Sequence, residues 1–250
     1  MSPSAPNAAS PANPTASVAV PPAWAEPVAW YVERLVALSG QRLEAITLYG
    51  HWPQEPARRG PTLSSVAVFD RIDLETLRRV GREGHRFGAW GFSAPWALTR
   101  TAIDRSRDTF PLELIEIVQR RAPLHGPDFF ADLTIHPTHV RLACERELRV
   151  LEIHLQRGVL TAGDDEEHLG RVGAHALHTL LRILAGLAWL TGRYDYEGPF
   201  ARVATAERLL DRELLGVRRT MDHSDTAYRH KFHLLHADIQ ALGDSADRWS

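Results

Sequence analysis

The chain has 250 residues, 44% hydrophobic and 24% charged, an ordinary globular composition that buries one large core or two small ones. Its formal net charge of -2 excludes a surface that tracks nucleic acid throughout, because such binding needs clustered Lys and Arg to displace counterions. The single cysteine, Cys144, excludes an internal disulfide and any multi-cysteine zinc site.

Residues 1–26 are dense in Pro, Ala, Ser and Asn, with no basic start and no sustained apolar stretch. They read as a disordered tail and not as a secretory signal. From residue 27, Val28, Tyr31, Val32, Leu35 and Leu38 recur at helical spacing, and Gly40 suits the left-handed residue that closes a helix. "RLEAITLYG" favours a strand that Gly50 ends, and "SSVAVF" is a second strand, apolar enough to be covered on both faces. Asp73 is placed to cap a helix carrying Leu74, Leu77 and Val80, which frays at Gly81 and Gly84. "FGAWGFSAPWALT" reads as an irregular or edge strand, residues 102–107 as a short helix, and "FPLELIEIV" as a further strand.

After Gly126 and Pro127 the pattern is helical: residues 138–157, 167–191, 199–217 and 227–242. Cys144 falls with Val140, Leu148, Leu151 and Leu155 on one apolar stripe, as a small buried hydrophobe does. The most apolar run, residues 177–190, is interrupted by Arg182 and shorter than the roughly 20 residues that cross a bilayer. These features give an α+β chain: tail 1–26, a small mixed-sheet α/β domain at 27–130, a helical bundle at 137–242, and a flexible tail at 243–250. The expected setting is the cytoplasm, with no membrane partner.

The order of four segments resembles bacterial nucleotidyltransferase-fold proteins of the DNA polymerase β superfamily that carry a C-terminal helical domain. They are "YVERLVALSGQRLEAITLYG", "VAVF" with "DRIDLETLRRV", "ALTRTAIDRSRDTFPLELIEIVQRRAPLHGPD", and "VRLACERELRVLEIHLQRGVL". The resemblance implies transfer of a nucleotide from a triphosphate. It also implies a Gly-Ser turn that grips the phosphates and two aspartates, one residue apart, opening the next strand. Side chains two apart in a strand share a face, so both carboxylates hold magnesium, and an acid on a later strand completes the set.

This chain departs from the pattern at the decisive points. Gly50 matches the glycine, His51 stands for the serine, and Leu63 and Ser65 stand for the two aspartates. Leucine offers a metal nothing, and a hydroxyl is a weak neutral ligand beside a carboxylate. Glu113 or Glu116 would be the third acid, and Asp70 the nearest substitute for a lost one. Gly50, His51, Arg58, Arg59 and Ser65 are the residues positioned for a nucleotide, the arginines without metal. No metal site is assigned; magnesium and a nucleoside triphosphate enter as cofactors only if activity survives.

The resulting expectation is a nucleotidyltransferase-like domain whose metal-dependent transfer is lost or impaired, acting as a nucleotide- or partner-binding module. Two alternatives stand beside it. One is an active nucleotidyltransferase with an atypical ligand set; the other is a helical domain that binds a protein partner or forms a homodimer. Among 13 histidines, His175 with His178, and His230, His233 and His236 followed by Asp238, share helix faces at intervals of three. A partly exposed polar face accounts for them equally well. His136 and His139 flank Pro137 in a linker. Trp90 and Trp96 are expected to pack, while Trp52 is left between packing and stacking on a base.

Overall fold

The structure, a computed structural model, describes residues 17–53, 63–193, 198–222, 224 and 227–245. The fold is α+β, and the chain divides into two compact units that meet in sequence between Ile135 and His136.

The first unit holds a four-stranded mixed sheet of order β3-β2-β1-β4. Helix α1 (Ala25–Ser39) leads into β1 (Leu43–Tyr49). Gly40, at φ 62°, ends the helix in a region that glycine enters without steric cost. Strand β2 (Ser64–Phe69) pairs antiparallel with β1, Tyr49 opposite Ser64 and Leu43 opposite Phe69. Strand β3 (Trp96–Thr99) joins the edge of the sheet parallel to β2, reached through α2 (Leu74–Gly81) and α3 (Gly84–Ala89). Helices α4 (Arg100–Arg105) and α5 (Pro111–Gln119) return the chain to β4 (Arg121–His125), antiparallel to β1 on its other side.

Both faces of β2 are covered, as its apolar sequence requires. Leu63, Ala67 and Phe69 join Trp24, Tyr31, Leu35, Ile46, Leu48, Phe87 and Phe92 in one core. Val66 and Val68 alternate to the opposite face and are fully buried there. Helix α5 packs against β1 and buries Leu112, Leu114, Ile115, Ile117 and Val118. Asp73 caps α2, accepting from Thr76 N at 2.9 Å, and a salt bridge from Arg42 holds its other oxygen.

Four expectations need correction. The segment "FGAWGFSAPWALT" is strand only at Trp96–Thr99, and its first three residues end helix α3. "FPLELIEIV" is helical, because Pro111 occupies the first turn, where a missing N–H costs nothing, and Glu113 complements the helix dipole there. Its apolar residues are buried all round, which hides the helical period. The span 199–217 is two helices, α8 (Pro199–Leu210) and α9 (Leu215–Met221), broken where Asp211 adopts a left-handed conformation at φ 49°. The tail ends earlier than residue 26: Ser17 bridges to Arg121, Val18 N donates to Arg121 O, and Trp24 is completely buried.

The second unit consists of α6 (Pro137–Ala162), α7 (Glu166–Leu190), α8, α9 and α10 (Tyr228–Ser245). Helix α7 is its core element. By length and composition α7 is apolar enough to cross a membrane, but 61% of its apolar window is buried. It carries a continuous inner face from Leu169 to Trp189, and such burial marks the core helix of a packed unit. Helix α10 continues to Ser245, which is buried.

Candidate functional site at the Gly50 corner

The turn after β1 is built as a packed corner. Gly50 has φ 81°, and its N–H donates to Arg120 O at 3.0 Å. Pro53 O accepts from the Trp24 indole at 2.8 Å. Trp52 between them is 2% exposed, with the Arg120 guanidinium 4.8 Å from its ring centroid. Trp52 is therefore a packing residue, its ring buried and one face taken by a cation. Its indole N–H has no hydrogen-bond partner among the described residues. His51 is exposed at the same corner.

The expected phosphate grip changes meaning here. The Gly50 amide, the donor such a turn would offer a phosphate, is spent on Arg120 O. Arg58 and Arg59 lie outside the described residues. Arg120 is the basic group that sequence reasoning missed; "VQRR" after an apolar run was its only signal.

Ser65 and Leu63 lie in the core, each 1% exposed. Ser65 Oγ is 2.7 Å from the Tyr31 hydroxyl. Tyr31 is stacked on Phe92, ring centroids 4.0 Å apart and planes at 2°, and meets Phe87 edge-on at 5.2 Å. Burial raises the Tyr31 phenol to about 12, and the bond to Ser65 only partly opposes that shift. Leu63 and Ser65 thus both lie in a core of aromatic and aliphatic side chains.

The three proposed acids do not gather at one point. Glu113 and Glu116 are half-buried on α5, on one helix face, and not on a strand. Glu116 belongs to the Gly50 end of the sheet: its carbonyl accepts from Arg120 N at 3.3 Å. Asp70 is exposed just past the far end of β2. The register sets Tyr49 opposite Ser64, so the length of β2 puts Asp70 roughly 20 Å from Gly50. Among the described residues no three His, Cys, Asp or Glu side chains gather to hold a metal ion. A leucine, and a neutral hydroxyl already bonded to Tyr31, do not fit magnesium, which takes several oxygen ligands.

The histidine sets resolve the same way. His230 and His233 are exposed and His236 is half-buried on α10. Asp238, the carboxylate beside them, is buried and accepts from Val217 N at 3.1 Å, capping α9. Burial raises its pKa. His175 and His178 point to solvent on α7, and His136 caps α6 through Nδ1, which accepts from Thr138 N at 3.3 Å. Cys144 is buried, its thiol pushed up to about 12 by desolvation and then by Glu145 and Glu147, so it is no nucleophile. Trp90 stacks on Trp30 at 5.3 Å, and Trp96 meets Phe110 edge-on at 6.3 Å.

No protein-family model matches the chain, and no curated protein matches it.

Proposed function

We propose that this is a nucleotidyltransferase-like protein, working in the cytoplasm, that has lost metal-dependent nucleotidyl transfer and acts as a nucleotide- or partner-binding module. The observation that carries the reading is the burial of Leu63 and Ser65, with the Ser65 hydroxyl bonded to Tyr31 at 2.7 Å. Transfer requires anionic oxygens at those two positions to hold the ion that neutralises charge between attacking and leaving groups. Hydrocarbon and a committed neutral hydroxyl supply none. A nucleotide would be held by guanidinium groups, which bind phosphate without a metal: Arg120 beside the Gly50 corner, with Arg58 and Arg59 the sequence candidates, which lie outside the described residues.

A second reading makes the helical unit the working part, binding a partner chain or a second copy. It is favoured by α6, where Leu142, Ile153 and Leu160 are 50%, 51% and 84% exposed. Spacings of 11 and 18 residues are close to whole helical turns, so the three form one apolar line.

Calorimetric titration of the full chain with ATP, with and without magnesium, separates the readings. Saturable binding that is indifferent to magnesium, with ATP recovered intact, supports the nucleotide-binding form of the proposal. No binding moves the function to the helical unit, and magnesium-dependent turnover defeats both.

A further inference from the structure

Two glycines of α7, Gly170 and Gly173, differ in what surrounds them. At Gly170 an added Cβ would stand 2.7 Å from the Tyr228 ring, so glycine there lets the ring lie against the helix. At Gly173, one turn on, a Cβ would meet nothing nearer than Leu235 and Phe232 at 4.0 Å, although the residue is buried in the helix interior. Glycine weakens a helix interior relative to alanine, and here no neighbouring atom demands it.

Gly173 lines a half-enclosed cavity of about 450 Å³ between α7 and α10, within the range of small-molecule sites. Leu169 and Leu177 wall it on the α7 side. Tyr228 and Phe232, four residues apart on α10, put two aromatic rings on the other wall. The charged side chains along it are already engaged. Glu167 and Arg171 are bonded to each other at 2.8 Å, and the Lys231 ammonium donates to Asp222 O at 3.1 Å and stands 5.6 Å from the Tyr228 ring centroid. The Thr220 hydroxyl donates to Gly216 O at 2.7 Å.

We infer that this cavity binds a small neutral aromatic molecule, its ring against Tyr228 and Phe232 and its edge over Gly173. An ionic ligand would lose hydration there without gaining an uncommitted opposite charge, whereas a neutral ring loses little and gains aromatic contact. The site lies wholly within the helical unit and does not rest on the nucleotide reading, so either stands if the other fails.

The test is calorimetric titration of the full chain with indole, beside anionic indole-3-acetate, cationic tryptamine, and 3-propylindole, a neutral molecule of similar size to both. Saturable binding of indole and 3-propylindole is expected, with each charged analogue at least about tenfold weaker. Gly173→Leu, which favours the helix and extends its side chain into the cavity, should weaken indole by about tenfold or more with unchanged circular dichroism. Nuclear Overhauser contacts from indole to the Phe232 ring locate the site in the wild-type protein, so the inference stays testable if the variant does not fold. Failure of indole to saturate, binding of a charged analogue as tight as that of 3-propylindole, undiminished binding by folded Gly173→Leu, or no contact between bound indole and Phe232 overturns the inference.

Discussion

Replacing Ser65 with aspartate would restore the residue type that the nucleotidyltransferase resemblance calls for, and the structure says the chain will not tolerate it. Ser65 is 1% exposed, and among the described residues its one side-chain partner is the Tyr31 hydroxyl at 2.7 Å. A carboxylate there would exchange full hydration for a single phenolic donor, so desolvation would raise its pKa. A shift of about three units from the unfolded value near 3.9 corresponds to about 4 kcal/mol. Fitting the larger side chain adds about 1–3 kcal/mol, a total that rivals the whole stability of many domains. Because the folded pKa lies above the unfolded one, the electrostatic penalty is absent below about pH 4. It then grows by about 1.4 kcal/mol per pH unit until the folded pKa is reached. Urea denaturation of Ser65→Asp from pH 4 to pH 8, beside Ser65→Asn, measures this. The asparagine variant shares the steric cost and carries no charge. The gap between the two should open as pH rises; equal stability at pH 7, or recovery of Ser65→Asp on adding magnesium, would refute the assignment of Ser65 to the core.

Two further predictions address the helical unit. Gly216→Ala, normally a stabilising change in a helix, should cost about 2–4 kcal/mol, because its Cβ would lie 2.1 Å from Leu235 N and 2.2 Å from Leu234 C, backbone that cannot rotate away; near wild-type thermal stability would contradict the close α9–α10 crossing. Glu207 accepts from Leu214 N at 2.9 Å and from Arg218 Nε at 2.7 Å, and the Arg218 bond is the main cause of its lowered pKa. A lowered folded pKa contributes stability that is present above the unfolded glutamate value, about 4.3, and lost as pH falls through the folded value. Thermal melts of Glu207→Gln should show a shallower acid limb than wild type, measured in an Asp238→Asn background because the Glu207 charge also helps raise the Asp238 pKa; parallel limbs would show that the pair contributes nothing.

Much of the architecture was readable in the sequence. The spacing of Tyr31 and Leu35 located α1, the capping position of Asp73 started α2, and the run from Val140 to Leu155 gave the inner face of α6. These signals are local and repeat at the period of their element. The α5 segment failed because burial on every side erases that period, leaving Pro111 as the only start signal. The α8–α9 break failed because Asp211 takes a left-handed conformation with no glycine to announce it. Burial of Trp52, with the Arg120 guanidinium 4.8 Å from its ring centroid, depends on contacts distant in the sequence that no short window contains; Arg121 and Asp128 pair at 2.8 Å within one short window, but nothing there marks the arginine, 2% exposed, as buried. That no acid stands at positions 63 and 65 is plain in the sequence; that Ser65 bonds to Tyr31 and that Leu63 bridges to Phe92 is not.

The most direct measurement is incubation of the purified full chain with magnesium and radiolabelled nucleoside triphosphates, followed by counting label in protein, nucleic acid and small-molecule fractions, with and without a chelator. With no acidic oxygens at positions 63 and 65, no label should move to any acceptor in either condition. Label transfer that the chelator stops would mean that carboxylates do gather around an ion, and that the loss of transfer chemistry argued from Leu63, Ser65 and Tyr31 is wrong.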